Sequence, residues 1–138
     1  MMLRNFWYAA ALAGEVSRQP QARTLCEESV LLYRRENGAA VALQNRCPHR
    51  HAPLDRGRLT GDIIRCGYHG IEFDSGGACV AVPGQDSVPA ALHLRVYPLR
   101  ERYGVVWYWP GDPGLADATP VPDLPWLASA DWKPIPFY

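Results

Sequence analysis

The sequence predicts an all-β protein, an antiparallel β-sandwich or barrel, and three observations carry that prediction. Short runs rich in Val, Ile, Leu and aromatic residues recur along the chain, each closed by a turn signal. Thirteen Pro and 12 Gly punctuate 138 residues, which leaves little room for long helices. Asn37-Gly38 separates two apolar runs at the spacing of a tight hairpin. The length fits one domain, 1–138, with a sizeable core.

The elements follow in order. Phe6, Trp7 and Tyr8 form an aromatic cluster expected in the core, followed by a helix-capable piece ending near Gln19-Pro20. From Arg23 the pattern turns to β. Ser29–Arg35 reads as a strand, Asn37-Gly38 as its turn and Ala39–Leu43 as the return strand, which delivers the chain to Cys47. Thr60-Gly61-Asp62 reads as a turn before a short strand at Ile63-Ile64. Ile71–Phe73 and Cys79–Val82 read as strands joined by the turn Asp74-Ser75-Gly76-Gly77. Leu92–Leu99 and Tyr103–Trp109 are the last strands predicted, the first ending at or lying on an edge because of Pro98. Residues 110–138 hold seven of the 13 Pro and read as an extended exit segment.

Composition excludes several classes. With 14 basic and 14 acidic residues the net charge is zero, so nothing draws the chain toward nucleic acid or an anionic membrane. No window reaches the roughly 20 apolar residues of a membrane span. The apolar run Phe6–Ala13 is broken by Trp7 and Tyr8 and followed by Glu15 and Arg18, unlike a signal peptide. Four Cys make no dense disulfide framework, which favours a reducing, cytoplasmic setting with Cys26 and Cys79 as buried free thiols.

The chemistry concentrates between Cys47 and Gly70. Cys47-Pro48-His49 is C-x-H, Cys66-Gly67-Tyr68-His69 is C-x2-H, and sixteen residues separate His49 from Cys66. Two thiolates and two imidazoles suit either one tetrahedral Zn2+ or a [2Fe-2S] cluster with two Cys on one iron and two His on the other. Zinc fingers pair like ligands along the chain, whereas Cys and His alternate here, one of each per loop. Two loops gripping a two-iron cluster from opposite sides use that alternation. Pro48 and Pro53 stiffen the first loop (47–54), and Gly67 and Gly70 bracket the second (66–70). The Pro83-Gly84 loop is positioned in sequence to cover a third side.

Four blocks together resemble a known family: Asn5-Phe6-Trp7-Tyr8-Ala9-Ala10, CPHRHAPL (47–54), CGYHGIEFDSGG (66–77) and ERYGVVWYWPGDP (101–113). The chain resembles the oxygenase components of Rieske non-haem iron oxygenases, of the vanillate O-demethylase and dicamba monooxygenase type. The resemblance implies a Rieske fold with a small cluster-binding subdomain and a Rieske-type [2Fe-2S] cofactor. It implies Cys47 and Cys66 as ligands of the inner iron, and His49 and His69 as ligands of the outer one. It implies one-electron transfer in an aromatic ring-hydroxylating or O-demethylating oxygenase, and trimers for complete enzymes. The partners implied are a reductase or ferredoxin donor and a mononuclear iron catalytic domain, in cis or in a neighbouring subunit.

That catalytic domain is expected to be absent from this chain, whose remaining His51 and His93 offer no second iron site, so no turnover of substrate is expected from it alone. Respiratory Rieske proteins, to which the pattern is also similar, have a disulfide at the places of Ala52 and Tyr68 and hydroxyls at those of Ile71 and Phe73. Ile71 and Phe73 cannot donate to cluster sulfur, so a low reduction potential is expected. Arg46, Arg50, Arg56, Arg58 and Arg65 surround the motif, against Asp55 and Asp62, as a basic rim for an acidic donor. The competing readings are a stand-alone Rieske ferredoxin-type carrier and a structural zinc module. Trp107 and Trp109 are read as packing residues and His51 as a rim residue.

Overall fold

The computed structural model describes residues 2–133 and 135. They form ten strands in three antiparallel sheets. The first sheet pairs β1 (Tyr8–Leu12) with β10 (Val105–Tyr108) and β10 with β9 (Leu99–Arg102). The second runs β2 (Gln21–Leu25), β3 (Glu28–Arg34), β4 (Ala40–Gln44) as consecutive hairpins. The third is a meander of β5 (Arg58–Thr60), β6 (Ile63–Arg65), β7 (Glu72–Phe73) and β8 (Cys79–Ala81).

The order of layers is written in β3. Successive strand residues face opposite sides of a sheet, so an uninterrupted apolar run means burial on both. Val30, Leu31, Leu32 and Tyr33 are all fully buried. Val30 and Leu32 pack with Ala10, Ala42, Val106 and Tyr108 toward the first sheet. Leu31 and Tyr33 pack with Val41, Leu43, Leu54, Ile64 and Phe73 toward the third. The second sheet is therefore a shared wall, with a sandwich on one face and a small subdomain on the other. Each fully buried aliphatic side chain there contributes about 1.5–3 kcal/mol before chain entropy is counted. β10 repeats the device: Val106 and Tyr108 face the sandwich, while Trp107 packs outward with Trp7, Trp109, Ala116 and Val121. Trp109 and Trp107 are thus packing residues, as their sequence setting suggests. Trp7 joins them, its indole N–H donating to the Thr119 carbonyl at 2.8 Å.

Several expectations need correction. The piece before Pro20 is strand β1 with one 3-10 turn, Ala13–Glu15, because Ala9 and Ala11 pair with Trp107 and Val106. Tertiary pairing here overrides the helix propensity of an alanine run. Phe6 is exposed, and only Trp7 of the aromatic trio is fully in the core. The strand expected over Leu92–Leu99 is reduced to single bridges, Ala78 to His93 and Leu43 to Val96. That segment crosses from the third sheet to the second: the Leu94 N–H donates to the Gly77 carbonyl and the Tyr97 N–H to Ala42. One strand cannot pair continuously with both. The last strand starts at Val105, since Tyr103 and Gly104 take left-handed φ of 60° and 71° and form the hairpin turn. Cys26 and Cys79 are free thiols, but half-buried. The exit segment includes a short α-helix, α1 (Pro113–Ala116), capped by Asp112, and a 3-10 turn, Pro125–Ala128. Residues 134 and 136–138 of that segment lie outside the described residues. Among the described residues no helix is long and apolar enough to cross a membrane.

Candidate metal centre

The third sheet exists to present two loops. The first leaves β4 and returns at β5; the second is the hairpin between β6 and β7. The two are built alike. In the first, the Cys47 N–H donates to the Ala52 carbonyl (2.9 Å) and the Cys47 carbonyl accepts from the His51 N–H (2.8 Å). In the second, the Cys66 N–H donates to Ile71 (2.8 Å) and the Cys66 carbonyl accepts from Gly70 (3.1 Å). The fourth residue after each Cys closes the loop in the left-handed region, His51 at φ 61° and Gly70 at φ 74°. His51 is thereby the counterpart of Gly70, an exposed closing residue at the rim. A non-glycine residue held there is the kind of outlier that an over-determined loop sustains.

This construction separates the four candidate ligands by depth. Cys47 and Cys66 are 2% and 3% exposed and belong to the core under β3 and β4. His49 and His69 are exposed, with ring centroids 4.8 Å apart and an edge-to-face angle of 69°. Burial pushes the Cys47 thiol above its ordinary value; the backbone N–H groups of His49 and Arg50 pull it down, and neighbouring Cys66 pushes it up. A metal that binds the thiolate removes that penalty. Two like pairs, soft thiols inside and imidazoles outside, fit a two-iron group better than one tetrahedral zinc.

The chain belongs to the Rieske [2Fe-2S] domain family. That domain matches residues 6–98, which takes in both loops. The chain is 46% identical over 139 residues to the toluene-4-sulfonate monooxygenase system iron-sulfur subunit of Comamonas testosteroni, covering 100% of this chain and 40% of that protein. It is 48% identical over 123 residues to the oxygenase component of dicamba O-demethylase from Stenotrophomonas maltophilia, covering 88% and 36% respectively. The crystal structure of apo dicamba monooxygenase superposes with a TM-score of 0.86 at 44% identity, over 92% of this chain and 40% of that one. This Rieske domain thus spans about two fifths of the length of such relatives. The antiparallel sandwich with its small subdomain is the Rieske fold, and a Rieske domain binds a [2Fe-2S] cluster of the Rieske type.

Two supporting residues, Asn45 and Gly57, escaped the sequence reading, which also gave Tyr68 no packing role. Asn45 is 5% exposed, the buried polar or charged residue among those described. Its carbonyl oxygen accepts from the N–H groups of Leu54 and Asp55, both at 2.9 Å, and its amide donates to Asp55 (2.7 Å) and Ser29 (3.1 Å). One side chain therefore ties the far end of the first loop to β3. Gly57 and Gly67 bring the loops into backbone contact: a Cβ on Gly67 would lie 3.0 Å from the Arg56 carbonyl oxygen and 3.7 Å from the Gly57 Cα. Tyr68, between Cys66 and His69, is 63% exposed.

The basic rim is only partly where the sequence suggested. Arg56, Arg58 and Arg65 line an open cavity of about 620 Å³ with Tyr68, His69 and Pro83. Pro83 lies beside the second loop, its Cγ 3.2 Å from a would-be Cβ on Gly70. Arg46 instead lines a cavity with Glu27 and Glu28. Asp62 is not opposed to the rim, because Arg18 and Arg35 hold it 3.2 Å away. Among the described residues Arg50, Arg56 and Arg58 make no ion pair, and Arg65 meets Glu72 only at 3.9 Å.

Proposed function

We propose that this chain is the one-electron transfer domain of an oxygenase, holding its [2Fe-2S] cluster through Cys47, His49, Cys66 and His69. The observation that carries the reading is the pairing of donors by depth, two buried thiols and two exposed imidazoles. When bound, the group supplies one reversible electron at a site near the surface. The chain's own residues do the rest. Cys47 and Cys66 would hold one iron as thiolates, in a pocket closed by Leu54, Ile64, Ile71 and Phe73. His49 and His69 would each give one ring nitrogen to the other iron, and both lie exposed, where a partner can reach them. Asn45 and the paired glycines hold the two loops in register.

The cooperating proteins in this reading are a reductase or ferredoxin donor and a mononuclear iron catalytic domain, in a homotrimeric oxygenase acting on an aromatic compound. Relatives named for toluene-4-sulfonate and dicamba support the aromatic class. The compartment is the cytoplasm, in keeping with the free thiols Cys26 and Cys79.

An EPR-monitored redox titration of the purified protein tests the function. Dithionite is expected to produce a rhombic [2Fe-2S] signal with nitrogen hyperfine coupling. Ile71 and Phe73 offer the cluster no hydroxyl donors, so the midpoint should fall in the lower half of the roughly −150 to +300 mV Rieske range. A colourless protein with stoichiometric zinc would overturn the assignment.

The unpaired guanidinium groups of Arg50, Arg56 and Arg58 support electrostatic steering of an acidic donor. The rate of reduction by such a donor is expected to fall steeply between low and physiological salt, because exposed charges are screened beyond about 8 Å at 0.15 M. A rate independent of ionic strength would sink the steering role and leave the cluster assignment standing.

A further inference from the structure

Tyr68 is a large aromatic side chain left mostly in water, and the packing of the domain does not explain it. It is 63% exposed, belongs to none of the buried clusters, and its hydroxyl makes no hydrogen bond among the described residues. What it does contact is His69. The two ring centroids are 3.8 Å apart with the planes tilted by 32°, a close ring-on-ring contact. His69 also meets the ring of His49, edge to face at 4.8 Å. His69 is therefore the middle ring of three at the tip of the domain.

The backbone alone does not fix this imidazole. Gly67 and Gly70 flank the pair, and Gly70 takes a left-handed φ of 74°. A Cβ at Gly70 would meet the Arg65 guanidinium at 3.0 Å and Pro83 at 3.2 Å, so the second loop is pinned on its far flank. His69 lines the open cavity with Arg56, Arg58, Arg65, Tyr68 and Pro83, and of these Tyr68 is the ring in contact with it. An exposed imidazole without a neighbour on its open face samples several rotamers, and water reaches it freely.

Resting on the cluster-binding reading above, we propose that Tyr68 is a positioning residue, whose ring stacks on His69, fixes its plane and shields its solvent face. The phenol hydroxyl plays no part; only the aromatic face does. A stacked aromatic pair is worth enough to change an occupancy or an off-rate by roughly two- to tenfold.

The test uses the cluster-loaded protein and its Tyr68→Ala and Tyr68→Phe variants. Two quantities are read: the decay of visible absorbance under an excess of iron chelator, and the width of the EPR features with the nitrogen couplings of the reduced state. Tyr68→Ala is expected to lose its cluster roughly two- to tenfold faster and to broaden the EPR features, with the thermal midpoint of the fold unchanged. Tyr68→Phe is expected to match the wild type in both. An Ala variant identical to wild type in decay and spectrum overturns the proposal. A Phe variant as impaired as Ala overturns it too, since the hydroxyl would then be the active part. A wild-type protein lacking the rhombic signal overturns the cluster reading itself, so the two failures are distinguishable.

Discussion

Replacing Cys66 by Ser is expected to abolish the cluster while leaving most of the fold intact. Cys66 is 3% exposed, packed beside Cys47 under β3 and β4, with its N–H and carbonyl both engaged in closing the second loop. Serine keeps that backbone geometry and nearly the same volume. It replaces a soft, ionisable sulfur with a hard hydroxyl that gives up its proton far less readily, and iron–sulfur centres select thiolate. Loss of a partner that merely supports a ligand costs 10- to 100-fold in metal affinity. Removal of a ligand should cost more affinity than that, so iron content and the reduced EPR signal should fall close to background. The sandwich core of Ala10, Val30, Leu32, Val106 and Tyr108 does not include Cys66, so far-UV circular dichroism should persist. Cys47→Ser should behave alike. Cys26→Ser and Cys79→Ser are the controls, since these half-buried thiols lie outside the two loops and should retain full cluster. A Cys66→Ser protein with the wild-type spectrum, or a Cys26→Ser protein without it, would reject the ligand set.

The contrast between these cysteines marks where sequence reading works. Cys47, His49, Cys66 and His69 are legible because their chemistry is tied to short spacings within two loops. The hairpin at Asn37-Gly38 is legible for the same reason, its three-residue loop closing on Gly38 at φ 87°. The unbroken run Val30–Tyr33 could have been read as burial on both faces, and so as a wall between two layers. What resisted were features fixed by distant partners. The strand character of Tyr8–Leu12 comes from β10, about 97 residues away, against the propensity of its own alanines. The segment around His93 is divided between two sheets, and no local pattern announces that division. Asn45 looked like one more polar residue before the motif. Its role depends on Ser29 and Asp55 converging on it from either side. Tyr68 falls in the same class: its position in the motif is visible, but its stacking on His69 is not.

Gly57→Ala is the substitution expected to damage stability most for its size. Gly57 has an ordinary backbone conformation, φ −85° and ψ −157°, so the glycine is not there for its torsional freedom. It is there for space. A Cβ at this position would lie 2.1 Å from the Arg65 carbonyl oxygen and 3.0 Å from that of Leu54. Both obstacles are backbone atoms. The Leu54 oxygen already accepts the Gly57 N–H at 2.9 Å, and Arg65 is held in β6 by its pairing with Arg58 and Glu72. Neither can step aside as a flexible side chain would. Relief requires the first loop to lift from the second, which also breaks the contact of Gly57 with Gly67. Overpacking typically costs about 1–3 kcal/mol and occasionally more, and a clash with two fixed carbonyls belongs at the upper end. For a chain of this size that is a fall of roughly 10 °C in the melting midpoint. Since the loops carry all four candidate ligands, the same variant should hold its iron less tightly. Gly14→Ala is the matched control: no atom lies within 4 Å of its would-be Cβ, and its melting should be nearly unchanged. Equal melting of the two variants would mean that the loops are not locked together at Gly57, and that the spacing of the two donor pairs is held by the sheets alone.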